Sequence, residues 1–242
     1  MCNSTSLTAK QKKLEKHYEK PMAIPLLYEP YYHVAAYTYP NLFIIPQHEP
    51  DSIYPASWGF VPENRINNVD WYRKNFNSWN ARSENIFSDN SSFKESALRK
   101  RCLILSDGFF EPHYYPGEKS AYPHFCYIPE KEGRQLFCFA GLYSELDDEL
   151  FTCTILTTEA NEFFEEVHNK KKRMPLVLDT TLEKEWIRPG LNQKKIEELI
   201  KYSFTKETFS SYPVSRDLYN SKLDTNKPYI IDPIEPPMSL FG

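Results

Sequence analysis

Glycine is scarce in this chain, with 7 residues among 242, while proline reaches 19. That imbalance, together with 15% aromatic residues, disfavours long helices and favours strands joined by irregular connections. Cysteine is also sparse. The five are Cys2, Cys102, Cys126, Cys138 and Cys153; they are dispersed, odd in number and form no C-x-x-C pair. A disulfide framework and a zinc site are therefore not expected, and no metal or cofactor is anticipated. No apolar run approaches a membrane span, and the N-terminus CNSTSLTAKQKK lacks the apolar core of a signal peptide. A cytoplasmic, reducing setting without membrane contact is the expectation. Excess charge of one sign is missing too: the net charge is −4, so contact with nucleic acid would need a local basic patch.

What is present suits one large domain or two small ones, with enough chain to bury a sizeable core. There is no internal repeat and no low-complexity linker. Residues 7–20 read as a charged helix with Leu7, Leu14 and Tyr18 apolar. Strand-like runs follow at His33–Tyr37, Leu42–Ile45, Cys102–Leu105, His124–Ile128, Leu136–Leu142, Phe151–Thr157 and Pro175–Leu178. Four short helices punctuate them: one opened by a Ser92/Glu95 capping box, one capped by Thr158, one opened by Thr180 and Glu183 and stopped at Pro189-Gly190, and one capped by Asn192. The expected fold is α+β, a single domain over 1–242 with a mostly antiparallel, barrel-like sheet and short flanking helices. The Pro-rich tail 232–242 is expected to order only by docking. The internal cysteines lie in apolar runs and read as small core residues.

Cys2 has a chemistry that no internal cysteine shares. If Met1 is removed, it carries an α-amine and a thiol on adjacent carbons. The amine can condense with an aldehyde, and the thiol can close a five-membered thiazolidine ring on the same carbon. An α-amino group titrates near ~8 against ~10.4 for lysine, so more of it is nucleophilic at neutral pH. A cysteine at this position also arises by accident of the start region. Three other residues each fit two readings. Glu111 follows a turn at Asp107-Gly108 and two phenylalanines; it is either a proton-shuttling carboxylate in apolar surroundings or an exposed hairpin glutamate. His168 ends the helix carrying Phe164, as an acid or as a simple helix cap. Asn80 follows Trp79, as an orienting amide or a turn residue. The clusters Lys170-Lys171-Lys172-Arg173 and Arg99-Lys100-Arg101 either complement helix ends or form a phosphate track, with Trp58 or a nearby tyrosine stacking on bases.

Taken in order, these segments resemble the SOS-response-associated peptidase (SRAP) family. The resemblance runs from Cys2 through Tyr32-His33-Val34-Ala35, Trp58-Gly59, Asn80-Ala81-Arg82-Ser83-Glu84, Arg101-Cys102, Asp107-Gly108-Phe109-Phe110-Glu111, Phe139-Ala140-Gly141-Leu142, Thr157-Thr158-Glu159-Ala160-Asn161, His168, Arg173-Met174-Pro175 and Val214-Ser215 to Asn220. It covers the chain to about residue 220. No single piece is diagnostic; their order and spacing as a set are.

The resemblance implies a function: a monomer that crosslinks to abasic sites in single-stranded DNA through the N-terminal cysteine, shielding the lesion. It implies Cys2 as nucleophile, Asn80 holding its amine, Glu111 assisting proton transfer, and His168 handling protons at the sugar. It further implies Arg82 and Arg173 on the DNA backbone and Thr157 lining the site. The alternative is an N-terminal-nucleophile hydrolase, in which Cys2 attacks an amide, including removal of Met1. A third possibility is a non-covalent reader of single-stranded DNA. Three departures stand out. Asn3-Ser4 replaces the family's usual Gly-Arg, removing one backbone-gripping arginine. Glu63-Asn64-Arg65 stands where many members carry wedge tryptophans. Lys170-Lys171-Lys172 lengthens the connection after His168.

Overall fold

The computed structural model describes residues 2–147 and 150–237. Its strands are β1 (Ser4–Leu7), β2 (Tyr31–Ala35), β3 (Asn41–Pro46), β4 (Tyr54–Trp58), β5 (Asn80–Arg82), β6 (Arg101–Ser106), β7 (Gly108–His113), β8 (Tyr122–Tyr127), β9 (Pro129–Glu130), β10 (Gly133–Arg134), β11 (Phe137–Asp147), β12 (Leu150–Glu159), β13 (Arg173–Pro175) and β14 (Ser210–Pro213). The α-helices are α1 (Gln11–Tyr18), α2 (Val69–Asn75), α3 (Lys94–Arg99), α4 (Glu162–Val167), α5 (Glu183–Trp186) and α6 (Gln193–Tyr202). The expected α+β architecture with a barrel is present.

Five strands close the barrel in the order β11-β6-β3-β4-β12, and β12 returns to β11. Every pairing in the ring is antiparallel except β4 with β12. Closure removes exposed sheet edges. Such a narrow ring demands small residues at close approaches. A Cβ on Gly141 would meet Ile104 Cδ1 at 2.5 Å and Cys102 Sγ at 2.8 Å. Cys102, Cys126, Cys138 and Cys153 are all buried, as their apolar runs predict.

β12 is longer than the barrel needs. Its first half pairs with β4, while Ile155, Leu156 and Thr157 pair in parallel with Asn80, Ala81 and Arg82 of β5. On the other edge Thr157 and Glu159 stand opposite Pro175 and Arg173 of β13. A second, antiparallel sheet runs β14-β8-β7-β1-β2. The chain enters it directly from the barrel, because only Asp107 separates β6 from β7. Gly108 opens β7 where a Cβ would sit 2.3 Å from Phe125 Cζ.

Asp107 ties the two sheets together. Its carboxylate accepts from Ser6 Oγ at 2.7 Å, from the Thr8 N–H at 2.8 Å and from the Thr8 hydroxyl, and Arg134 Nη2 stands 3.5 Å away. Thr5 Oγ1 adds bonds to Ser106 Oγ and the Gly108 carbonyl, both 2.9 Å. β1 is thereby held between β2 and β7, with Thr5 opposite Phe109.

Local details differ from the sequence expectation where caps compete. Ser92 does not cap α3; the helix starts at Lys94 and Ser91 Oγ accepts from the Phe93 N–H instead. Thr158 stays in β12, because that strand pairs on to Glu159, and Asn161 caps α4 by accepting from the Phe164 N–H. Asn192 caps α6 as expected. The Pro175–Leu178 run is a strand only up to Pro175, with Val177 and Leu178 making isolated bridges. Of the Pro-rich tail, 238–242 lies outside the described residues, while Ile234 donates to the Pro213 carbonyl at 2.9 Å. Among the described residues no helix is long and apolar enough to cross a membrane.

Two measurements test this fold. Asp107→Ala strands the buried Ser6 and half-buried Thr8 donors and should lower unfolding free energy by roughly 2–4 kcal/mol in urea titration. Glu183 presents the opposite case. Burial pushes its carboxyl up to about 7, Asp179 adds to the rise and a Cys138 hydrogen bond opposes it. A raised carboxyl stabilises the fold at low pH and loses that contribution as pH climbs from its unfolded value through about 7. Glu183→Gln should therefore raise Tm relative to wild type at mildly alkaline pH, with the gap closing in mild acid.

Candidate active site

The end of β12 and the start of β1 meet at one place. Cys2 is fully buried, and its carbonyl accepts from Asn80 Nδ2 at 2.9 Å. The same Nδ2 reaches Asn3 Oδ1 at 2.9 Å. Asn80 can do this because β5 is a strand, not the turn its polar neighbours suggest, and lies in register beside Ile155. Its Oδ1 is buried with no hydrogen-bond partner among the described residues.

β7 continues antiparallel to β1 and carries Glu111, fully buried, opposite His124 of β8. The outer end of β7 is stitched to the connection after α4: Tyr114 and Asn169 exchange two bonds of 3.0 and 2.9 Å, and His113 Nδ1 meets the Glu166 and Val167 carbonyls at 3.1 Å. Phe164 of α4 packs into an aromatic cluster with Phe109 and Phe209. These contacts bring His168, at the C-terminal cap of α4, to Glu111, with Nδ1 3.0 Å from Oε2. His168 Nδ1 also lies 3.1 Å from the Arg173 carbonyl. The Arg173 carbonyl can only accept, which identifies Nδ1 as the protonated nitrogen, so in the neutral ring Nε2 is the basic one.

Glu111 also acts on Cys2. Burial raises the Cys2 thiol well above its ordinary value, and the Glu111 carboxylate raises it further. The thiol donates weakly to the Ser4 carbonyl at 3.7 Å. The four residues expected from the sequence as catalytic are thus linked: Asn80 to Cys2, Cys2 to Glu111, Glu111 to His168.

The expected DNA contacts divide. Arg82 is exposed on β5. Arg173 is anchored: Nη2 donates to the Thr157 carbonyl at 2.8 Å and to Thr157 Oγ1 at 3.2 Å, while Nη1 and Nη2 meet the two oxygens of Glu84 at 2.7 and 3.1 Å. Thr157 is fully buried and reaches the site through Arg173. Trp58 is a correction. It is fully buried, and its indole N–H donates to the Trp79 carbonyl at 2.8 Å. It offers no face to a base; it supports the segment that presents Asn80. Arg101 is a second correction to the phosphate-track reading. It is fully buried and donates to the Ala97, Leu98, Trp186 and Arg188 carbonyls, closing the end of α3. Lys172 pairs with Glu165 and Lys170 lies over the Tyr114 ring, so this run brings charge beside the His168 connection.

Sequence reasoning missed the support around Cys2. His33 Nε2 shares a 3.0 Å hydrogen bond with Ser4 Oγ, and Nδ1 shares one of 2.7 Å with Thr225 Oγ1. Burial lowers His33 to about 4, so it is neutral. Tyr32-His33 stood out in the sequence, but nothing local pointed to a partner 192 residues away. Among the described residues no group of three or more His, Cys, Asp or Glu side chains could hold a metal ion.

Comparison with known proteins shows the family and the fold. The model of the SOS response associated peptidase (SRAP) family matches residues 1–221. The abasic site processing protein YoqW of Bacillus subtilis is 31% identical over 213 residues, which are 85% of this chain and 87% of that protein. The abasic site processing protein HMCES of Gallus gallus is 30% identical over 207 residues, 74% of this chain and 56% of that protein. A crystal structure of a Bacteroides thetaiotaomicron protein superposes with a TM-score of 0.81 at 28% identity, covering 97% of this chain and 100% of that one. By its matched sequence and its fold, this chain belongs to the SOS response associated peptidase family.

Proposed function

We propose that this protein captures abasic sites in single-stranded DNA as a covalent thiazolidine on Cys2, acting as a monomer. The observation that carries the reading is the linkage of Cys2, Asn80, Glu111 and His168, drawn from distant segments around one buried thiol. The names of the relatives point the same way.

The chemistry requires a chain that begins at Cys2. Removing Met1 creates an α-amine next to the carbonyl that Asn80 holds, and Asn80 Oδ1 is an acceptor suited to it. The amine lone pair attacks C1′ of the ring-opened sugar, and loss of one water gives an imine. The thiol sulfur then bonds to that carbon while its proton passes to nitrogen. Nothing is oxidised or reduced. Because burial keeps the thiol protonated, the addition needs a base at hand, and Glu111 takes that role. His168, held at Nδ1 by Glu111, manages protons on the sugar oxygens through Nε2. An imine alone is an electron sink that permits β-elimination; ring closure removes it and leaves the strand intact. Single-stranded DNA suits so buried a nucleophile, since an unpaired, baseless sugar costs least to insert.

The direct test is a denaturing gel with single-stranded DNA bearing one abasic site. Wild type should give a band that survives denaturation and Cys2→Ala none; persistence of the band in that variant refutes the mechanism. Glu111→Gln should slow its formation by roughly 100-fold or more, the usual scale of lost acid–base catalysis. The same substitution removes one of the two influences that raise the Cys2 thiol. Alkylation of Cys2, followed by peptide mass spectrometry, should then begin at lower pH in Glu111→Gln than in wild type.

A further inference from the structure

Arg173 is expected to grip a DNA phosphate, yet its outward edge is already occupied. Nη2 is fixed by Thr157, through the carbonyl at 2.8 Å and Oγ1 at 3.2 Å, and also forms one arm of the fork to Glu84. Nη1 and Nη2 run in parallel to both oxygens of Glu84, at 2.7 and 3.1 Å. That fork is the geometry with which a guanidinium binds two oxygens of a carboxylate or of a phosphodiester. The two partners differ in exposure. The Arg173 side chain is only 12% exposed, whereas that of Glu84 is 41% exposed. Glu84 lies in a short 3-10 turn directly after β5, next to solvent and outside the barrel strands. Arg82, two residues earlier and exposed, adds positive charge to the same place.

We propose that Glu84 is a resident stand-in for a DNA phosphate: it occupies the Arg173 fork in the empty protein and yields it to a phosphodiester when a strand binds. The inference rests on the DNA-binding reading above and assigns Glu84 as a residue that sets affinity and selectivity. Binding at this point is an exchange of one oxyanion for another, so it gains less than binding to an open arginine. Strands without a lesion are released quickly. A strand with an abasic site is kept by the covalent bond instead, so weaker backbone affinity costs it little. The exchange also keeps the guanidinium oriented. Thr157 holds the head in either state, and the Arg173 carbonyl that meets His168 Nδ1 stays in place.

The test uses intact single-stranded DNA, which cannot react with Cys2, labelled for fluorescence anisotropy and titrated over a range of salt. Glu84→Gln should bind about 5-fold or more tighter than wild type, with a log Kd against log salt slope steeper by up to about one phosphate contact. Glu84→Asp keeps the charge but shortens the reach, so it should also tighten binding, to a smaller degree. Both gains should vanish in an Arg173→Gln background. Equal or weaker binding by Glu84→Gln overturns the proposal, as does a gain that persists without Arg173, which marks general charge repulsion. The crosslinking gel with wild-type protein is run beside it. A missing crosslink counts against the function proposed above, whereas a normal crosslink with no Glu84 effect counts against this inference alone.

Discussion

Cys2, the proposed nucleophile, precedes a strand of only four residues, which needs partners to hold its register. The Asp107 carboxylate meets that need. One buried side chain receives Ser6 and both polar groups of Thr8, with Arg134 beside it. Thr5 and Ser106 add a second set of bonds one residue away. The first strand is thereby pinned in register between β2 and β7, and Cys2 is delivered beside Glu111. A buried carboxylate is costly unless every oxygen is satisfied, and Asp107 meets that condition within the first eight residues of the chain. Its position at the single-residue link between the barrel and the second sheet means that one group sets both the sheet junction and the address of the N-terminus.

β12 organises the opposite wall. Half of it closes the barrel, and half projects beyond it to collect β5 on one edge and β13 on the other. Asn80 and Arg82 therefore arrive from one side, Arg173 from the other, with Thr157 between them. The buried Trp58 explains how β5 is held there: its indole bonds the Trp79 carbonyl immediately before Asn80. The electrostatics follow from the same geometry. Glu111 shares its buried environment with the Cys2 thiol, which stays protonated, and with His168, which it orients. Glu84 faces the guanidinium at the rim, where water can still compete.

The amino-acid sequence alone determined a good deal. Apolar runs marked β2, β3, β6, β8, β11 and β12, whose side chains are largely buried in a barrel or sheet core, but not β1, β4, β5, β7 or β14. Asn192 was legible as a cap because capping is local. The order of Cys2, Asn80, Glu111 and His168 marked the candidate site through its resemblance to a family. Local competition was less readable. Thr158 and Asn161 are both good caps, and only the pairing of β12 with β13 as far as Glu159 decides between them. Arg101 and Arg173 look alike as basic residues following a helix. One is buried against four carbonyls and the other faces the rim, a difference set by what α5 and β13 place beside them.

Tertiary structure alone decided which residues share a site and which serve the frame. The Glu84–Arg173 fork joins residues 89 apart, and the His33–Thr225 bond joins residues 192 apart. Trp58 belongs to the core for the same kind of reason. Residue type and spacing report what a side chain can do within a few positions of itself. Burial and long-range partners are properties of the closed barrel and its neighbouring sheet, and they exist only once distant strands have met.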